Sequence, residues 1–252
     1  MLELCVGGID DVLLAQKNNV PRIELNSAIA LGGLTPSLAL LIHARQNYCG
    51  KIIAMVRPRE GDFHYSHAEI QTMLHDAELL VQHGADGIAV GFLTSSGTVD
   101  VNTCQTLRSR LPNTHLVFHR AFDVSLCLNT ALAQIIDLGF QTILTSGGAP
   151  TALEAAPVLQ NLNQQAAGKI QILPAGGIRA SNVASVLQLT GCTEIHAALR
   201  EITEPAPAPH HRRLHFGIPG HSPLSSSRTS ADALRQMLDA LQTARQNTAP
   251  AH

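Results

Sequence analysis

Tryptophan is absent from this chain of 252 residues, and aromatic residues of all kinds make up only 3% of it. A core of that composition has to be filled by Ala, Leu, Ile and Val in many small elements rather than around a few large rings. An excess of one charge is missing too. Seventeen basic against nineteen acidic side chains leave a formal net charge of −2, which gives no electrostatic footprint for nucleic acid or an anionic membrane. No stretch reaches the roughly 18 apolar residues of a membrane span, and the opening residues lack the basic and apolar regions of a leader. The five cysteines, Cys5, Cys49, Cys104, Cys127 and Cys192, are odd in number, widely spaced and free of any CxxC pair. That argues against a disulfide framework or a zinc ribbon and for a soluble, cytoplasmic protein. No organic cofactor is expected.

What the chain does contain is 45% hydrophobic residues in a repeated alternation. A short β-branched run is followed by a longer Ala/Leu-rich run of helical period. Eight strands are expected, at 2–7, 22–26, 51–57, 87–92, 115–120, 142–146, 171–175 and 194–198. Eight helices are expected between and after them, at 9–19, 37–47, 67–83, 101–110, 125–138, 151–166, 181–190 and 230–246. Gly84 and Gly139 stand where C′ glycines belong, and Ser66, Asp100, Ser181 and Ser230 where N-caps belong. Strand starts recur at the span of a βα unit. The fold class this predicts is α/β, a single TIM (β/α)8 barrel over residues 1–248, with a doubly wound sheet as the alternative. The Pro/His-rich segment at about 201–228 breaks the rhythm, and its prolines suit either a lid over the barrel mouth or a mobile loop.

Polar residues end two of the apolar runs abruptly: Arg57-Pro58-Arg59-Glu60-Gly61-Asp62-Phe63-His64-Tyr65, and His119-Arg120-Ala121-Phe122-Asp123. Side chains of this kind are costly to bury without partners, so strand ends carrying them mark a site. Alternation along each strand sends Glu3 and Cys5, then Arg22, Glu24 and Asn26, then Arg57 with Arg59 on the same side, toward the barrel interior and its mouth. His119, Asp123 and His196 follow on the fifth and eighth strands. Adjacent strands would place Glu3 and Glu24 about 5 Å apart, close enough that an arginine should intervene. Two readings stay open. In one, Glu3, Glu24 and Arg57 form a neutralised internal network. In the other, a carboxylate is poised for acid or base work beside His119.

The glycine pairs in Ser146-Gly147-Gly148 and Gly176-Gly177 end the sixth and seventh strands just before helices. Such turns either offer amides to a phosphate or carboxylate or merely turn the chain tightly. The loop Gly32-Gly33-Leu34-Thr35-Pro36-Ser37 reads as a helix entry with Thr35 as N-cap and Pro36 at N1. Most of the thirteen histidines fall on expected surfaces or in the irregular segment. His119 and His196 are the better ligand candidates, with Cys5 as a thiol that would suit a soft ion such as Cu(I).

Taken together, Arg22-Ile23-Glu24-Leu25, the Gly32 to Ser37 loop, the run from Arg57 to Ser66, Phe118-His119-Arg120-Ala121-Phe122-Asp123, Leu144-Thr145-Ser146-Gly147 and Glu194-Ile195-His196 resemble the CutC family. The resemblance spans residues 1 to about 200. It implies a TIM barrel, a cytoplasmic location, a homo-oligomer (dimer or tetramer) and an association with copper homeostasis and Cu(I) binding. In such proteins copper binding is attributed to cysteines near the ends of the first two strands. Here the first is Cys5, but the second position is Asn26, and Ala197-Ala198-Leu199-Arg200 replaces the small hydroxyl residues usual after His196. The residues themselves support an alternative: an isomerase, lyase or hydrolase of a small anionic or phosphorylated metabolite. Arg57 and Arg59 would clamp the anion, the two glycine turns would supply amides, and His119 with Glu3 or Asp123 would move protons.

Overall fold

The structure is a computed structural model that describes residues 1–203 and 225–248. Eight parallel strands, β1 (Leu2–Val6), β2 (Arg22–Leu25), β3 (Lys51–Met55), β4 (Gly87–Val90), β5 (His115–Phe118), β6 (Thr142–Thr145), β7 (Gln171–Pro174) and β8 (Ile195–Ala197), alternate with eight helices. These are α1 (Ile9–Lys17), α2 (Leu38–Asn47), α3 (His67–Gln82), α4 (Val101–Arg110), α5 (Leu128–Asp137), α6 (Ala156–Ala166), α7 (Val183–Thr190) and α8 (Ala231–Thr248). The sheet runs β7-β6-β5-β4-β3-β2-β1-β8, the order of a TIM barrel. Among the described residues no hydrogen-bonded ladder joins β7 to β8, so the barrel is nearly rather than fully closed.

Alternation along the strands produces two separate cores. Leu2, Leu4 and Val6, Ile23 and Leu25, Ile52 and Ala54, Ile88 and Val90, Leu116 and Phe118 face the helices and are fully or almost fully buried there. Inside the barrel a smaller apolar cluster, Ile53, Met55, Ala89, Val117, Leu144, Leu173 and Ala175, comes only from β3 to β7 and the residue just after it. The remaining arc, β8-β1-β2, turns Glu3, Cys5, Arg22, Glu24 and His196 inward, and all of them are buried. The interior is thus amphipathic, apolar on one side and ionic on the other. Burial of the apolar side stabilises at roughly 25 cal/mol per Å². The ionic side needs internal partners.

Three local expectations are corrected. Ser37, not Thr35, caps α2, accepting from the Leu40 amide. Thr35 is instead hydrogen-bonded to Arg57, its hydroxyl accepting from the Arg57 N–H at 3.0 Å and its own N–H donating to the Arg57 carbonyl. Asn182, not Ser181, precedes α7. The segment 201–228 is not wholly irregular: its two ends belong to an antiparallel pair, β9 (Arg200–Thr203) with β10 (Ser226–Thr229). The residues between, 204–224, with His210, His211, His215 and His221, lie outside the described residues. The α5 and α6 helices also begin later than the helical period predicts, at Leu128 and Ala156.

Candidate functional site

The C-terminal mouth of the barrel holds a cavity of about 270 Å³, and its wall includes Cys5, Glu24, Asn26, Arg57, His119 and His196. Phe63, Gly176, Gly177 and Arg179 complete its rim. These residues come from strands far apart in the chain, and the barrel brings them to one place.

Glu3 lies below this cavity and does not line it. Register sets it opposite Arg22 on β2 and His196 on β8, while Glu24 lies opposite Cys5. The expected arginine does not lie between Glu3 and Glu24: Arg22 pairs with Glu3 and Glu194, and the side chain between the two is His196. Arg22 Nε donates to Glu3 Oε2 at 2.5 Å, and its Nη2 reaches Glu194 at 2.8 Å. The other Glu3 oxygen sits 2.8 Å from His196 Nδ1. Burial works against the Glu3 carboxylate, but the hydrogen bond from His196 and the Arg22 guanidinium hold its carboxyl below the usual range. His196 is correspondingly raised well above an ordinary imidazole, because the Glu24 charge, the Cys5 thiol and Glu3 outweigh its desolvation. Burial pushes both the Glu24 carboxyl and the Cys5 thiol up. The result is a protonated His196 between two glutamates, its Nε2 3.9 Å from Glu24 Oε2.

Asn26 completes this wall. Its amide Nδ2 donates to Glu24 Oε2 at 2.8 Å and approaches Cys5 Sγ at 3.5 Å. That leaves Asn26 Oδ1 and Glu24 Oε1 buried with no partner. Gly33, at φ +86, allows the loop after β2 to close over Asn26, since a Cβ there would stand 2.4 Å from Oδ1.

Just after the adjacent strand β3, Arg57 is 6% exposed and donates to the carbonyl oxygens of Leu31 (3.1 Å), Gly33 (3.4 Å) and Gly61 (2.8 Å), with the Tyr65 hydroxyl also beside its guanidinium. Among the described residues no carboxylate pairs with it, and its Nε has no partner. Its guanidinium stacks over Phe63 at 5.0 Å, and Phe63 packs on His119 with centroids 5.1 Å apart. His119 Nδ1 accepts the Ala121 N–H at 3.1 Å, which places the ring proton on Nε2, and that atom is buried without a partner. Burial, reinforced by the Arg57 charge, lowers the His119 pKa to about 3. His119 is held neutral near pH 7 and presents Nε2–H as a hydrogen-bond donor. Gly91 makes room for it, since a Cβ there would strike the ring at 2.4 Å.

Three expected participants are placed elsewhere. Arg59 turns outward to Glu69 (2.6 Å) and Asp62 (3.0 Å) and stacks over Tyr65, so it does not join Arg57 in a clamp. Asp123 folds its carboxylate into the turn after β6, where it accepts from the amides of Ser146 and Gly148 and from the hydroxyls of Thr145 and Ser146. Arg120 pairs with it at 2.8 Å. The donors of Ser146, Gly147 and Gly148 are thus taken internally: the Gly147 amide bonds to Thr145 Oγ1, and none of the three residues borders the cavity. At the second turn, Gly176 (φ +90) and Gly177 (φ +67) do line the cavity, and neither amide has a partner among the described residues. Arg179 beside them has no signal in the sequence beyond the glycine turn that brings it to the rim. It is exposed, and no carboxylate pairs with it among the described residues.

Within the described residues one group of side chains has donor atoms close enough to hold a metal ion: Cys5, Glu24 and His196, all within 4.8 Å of one another. His119 is not part of it, and Glu24 takes the place expected of His119.

Fold and site define a (β/α)8 barrel with a cavity at the strand C-termini, where this architecture keeps its active and binding sites. The profile of the CutC family matches residues 1–201, and the chain belongs to the CutC family. It is 45% identical over 206 residues to a family protein CutC of Treponema denticola, covering 81% of this chain and 84% of that one. It is 38% identical over 200 residues to the human copper homeostasis protein cutC homolog, covering 79% and 73% of the two chains. The crystal structure of CutC from Streptococcus agalactiae superposes with a TM-score of 0.75 at 30% identity, covering 78% of this chain and 97% of that one. A thiamine phosphate pyrophosphorylase from Pyrococcus furiosus, 13% identical with a TM-score of 0.56, shares the fold alone.

Proposed function

We propose that the barrel mouth binds a small anionic metabolite and acts on it by proton transfer. One observation carries the reading. Of the seven buried side-chain polar atoms without a partner among the described residues, four (Glu24 Oε1, Asn26 Oδ1, Arg57 Nε and His119 Nε2) belong to residues lining this one cavity. Each such atom costs about 1–3 kcal/mol when left unpaired, and a buried guanidinium without a counter-ion costs more. A fold tolerates that concentration of loss where a ligand offsets it. Arg57 and His119 would hold the anion, with the amides of Gly176 and Gly177 beside them. Glu24, in contact with the imidazolium of His196, is the group placed to take or give a proton. The reaction classes compatible with this are isomerisation, lyase chemistry and hydrolysis.

A second reading, a role in copper homeostasis, rests on the names of the relatives and on the Cys5–Glu24–His196 group. One thiol, one carboxylate and one imidazole form a mixed donor set, better matched to a borderline divalent ion than to Cu(I), which favours several soft sulfurs. Burial also keeps the Cys5 thiol protonated. The residues present therefore fit Cu(I) poorly. Five free cysteines support a cytoplasmic setting, and the exposed Val124 and Leu126 support assembly as a homo-oligomer.

A thermal-shift screen of organic anions, phosphate, Zn²⁺ and Cu(I) separates the readings. A carboxylate or phosphate ester should raise Tm in the wild type and fail to do so in Arg57→Ala and His119→Ala. A metal role requires a stoichiometric ion whose binding is lost in Cys5→Ser. If no anion stabilises the wild type more than the two variants, the first reading falls.

A further inference from the structure

The groups lining the cavity differ in hydrogen-bonding character, and that difference constrains the ligand more tightly than charge does. One set only donates. Arg57 has no acceptor, His119 presents Nε2–H because Ala121 N–H occupies its other nitrogen, and the amides of Gly176 and Gly177 are N–H groups. Arg57 uses three of its five N–H bonds on the carbonyls of Leu31, Gly33 and Gly61. Nε–H is left without an acceptor, a charged donor suited to a carboxylate oxygen. On the β2 side two acceptors remain. The Asn26 amide is fixed in orientation by its Nδ2 bonds to the Glu24 carboxylate and main-chain carbonyl, so Oδ1 is its remaining function. Glu24 Oε1 lies beside it with no donor of its own. A ligand that satisfies both sets must carry oxygen acceptors as well as hydroxyl donors.

Resting on the proposed function of this same site, we infer that the ligand is a short hydroxylated carboxylic acid of the sugar-acid type, its carboxylate against Arg57 and His119 and its hydroxyls against Asn26 and Glu24. A simple carboxylate leaves the accepting set unsatisfied. A neutral polyol leaves the buried guanidinium without a counter-charge. Discrimination by unpaired buried groups is strong, because a missing hydroxyl strands an acceptor already removed from water.

Isothermal titration with D-gluconate, D-glycerate, propanoate, sorbitol and glycerol 3-phosphate tests this. Gluconate or glycerate should bind at least tenfold more tightly than propanoate or sorbitol. Asn26→Ala and Glu24→Gln should reduce that hydroxyl preference toward unity while leaving weak propanoate binding in place; Arg57→Ala should abolish binding of every acid. Because the readout is a ratio within each folded variant, checked by circular dichroism, a general loss of stability does not mimic it. Equal binding of propanoate and gluconate, or a hydroxyl preference that survives both Asn26→Ala and Glu24→Gln, overturns the inference while the anion site stands. Preference for glycerol 3-phosphate over glycerate overturns it in favour of a phosphorylated ligand. Failure of every acid to bind removes the proposed function along with it.

Discussion

His119 and His196 show how far the same residue type diverges within one cavity. His119 is held neutral by burial and the neighbouring Arg57 charge, with a pKa of about 3 against the ordinary 6.5. His196 is held protonated by two glutamates. The signs of the two contributions to stability are opposite. A histidine whose folded pKa is depressed refuses a proton that the unfolded chain accepts, so its contribution is complete above about pH 6.5 and is lost as pH falls toward 3. A histidine whose folded pKa is raised contributes below its unfolded value and loses that as pH rises through the folded one. Between pH 6.5 and 5, His119 alone should cost about 2 kcal/mol. Urea unfolding at the two pH values should therefore show a smaller loss in His119→Phe than in the wild type, and long-range ¹H–¹⁵N spectra should keep His119 as the Nε2–H tautomer at pH 5. Titration of His119 near pH 6.5 refutes this. At this scale, alternation of strand residues made Glu24, Arg57, His119 and His196 legible in the sequence. The diversion of Arg59 was not, because it depends on Glu69, whose carboxylate also closes the capping box with Ser66 at the start of α3.

Among elements, the turn after β6 is the instructive case. Its glycines, Gly147 (φ +74) and Gly148 (φ +78), have the left-handed backbone of an anion cradle, as the sequence suggested, but the chain supplies its own anion. Asp123, from the 3-10 turn after β5, fills it. In the sequence Asp123 and the cradle read as separate features, since nothing local says that a residue 23 positions away points into the turn. Asp123→Ala would leave the amides of Ser146 and Gly148, the Thr145 hydroxyl and the Arg120 guanidinium without their acceptor. Stability should fall by about 2–4 kcal/mol in denaturant unfolding. An effect under 0.5 kcal/mol shows that the carboxylate is not what holds this turn. Strand positions were legible to within two residues because buried β-branched runs report themselves. Helix starts were less so, since α5 and α6 follow turns stabilised by long-range hydrogen bonds.

For the whole molecule, the eightfold alternation was readable from period alone, whereas the β9–β10 hairpin was not. It lies in a segment whose prolines dominate the pattern, and it is anchored from outside by Asp11 of α1, which is 5% exposed. One Asp11 oxygen accepts from Gly7 N at 2.9 Å and Arg200 Nη1 at 2.6 Å, and the other from Thr229 N at 2.7 Å. Three parts of the chain, the β1–α1 turn, β9 and β10, thus meet on one carboxylate. Asp11→Ala should cost about 3 kcal/mol or more by leaving Arg200 without its buried partner. Hydrogen exchange should rise over residues 226–229 and at the start of α8 while β4 and β5 stay protected. Uniform loss of protection throughout the barrel would show that the hairpin is not a separate unit.

The missing ladder between β7 and β8 bears directly on the cavity, since Gly176 to Arg179 stand on one side of that junction and His196 to Ala198 on the other. A guest that touches both flanks acts as a keystone, supplying across the gap the cohesion that backbone bonds provide around the rest of the ring.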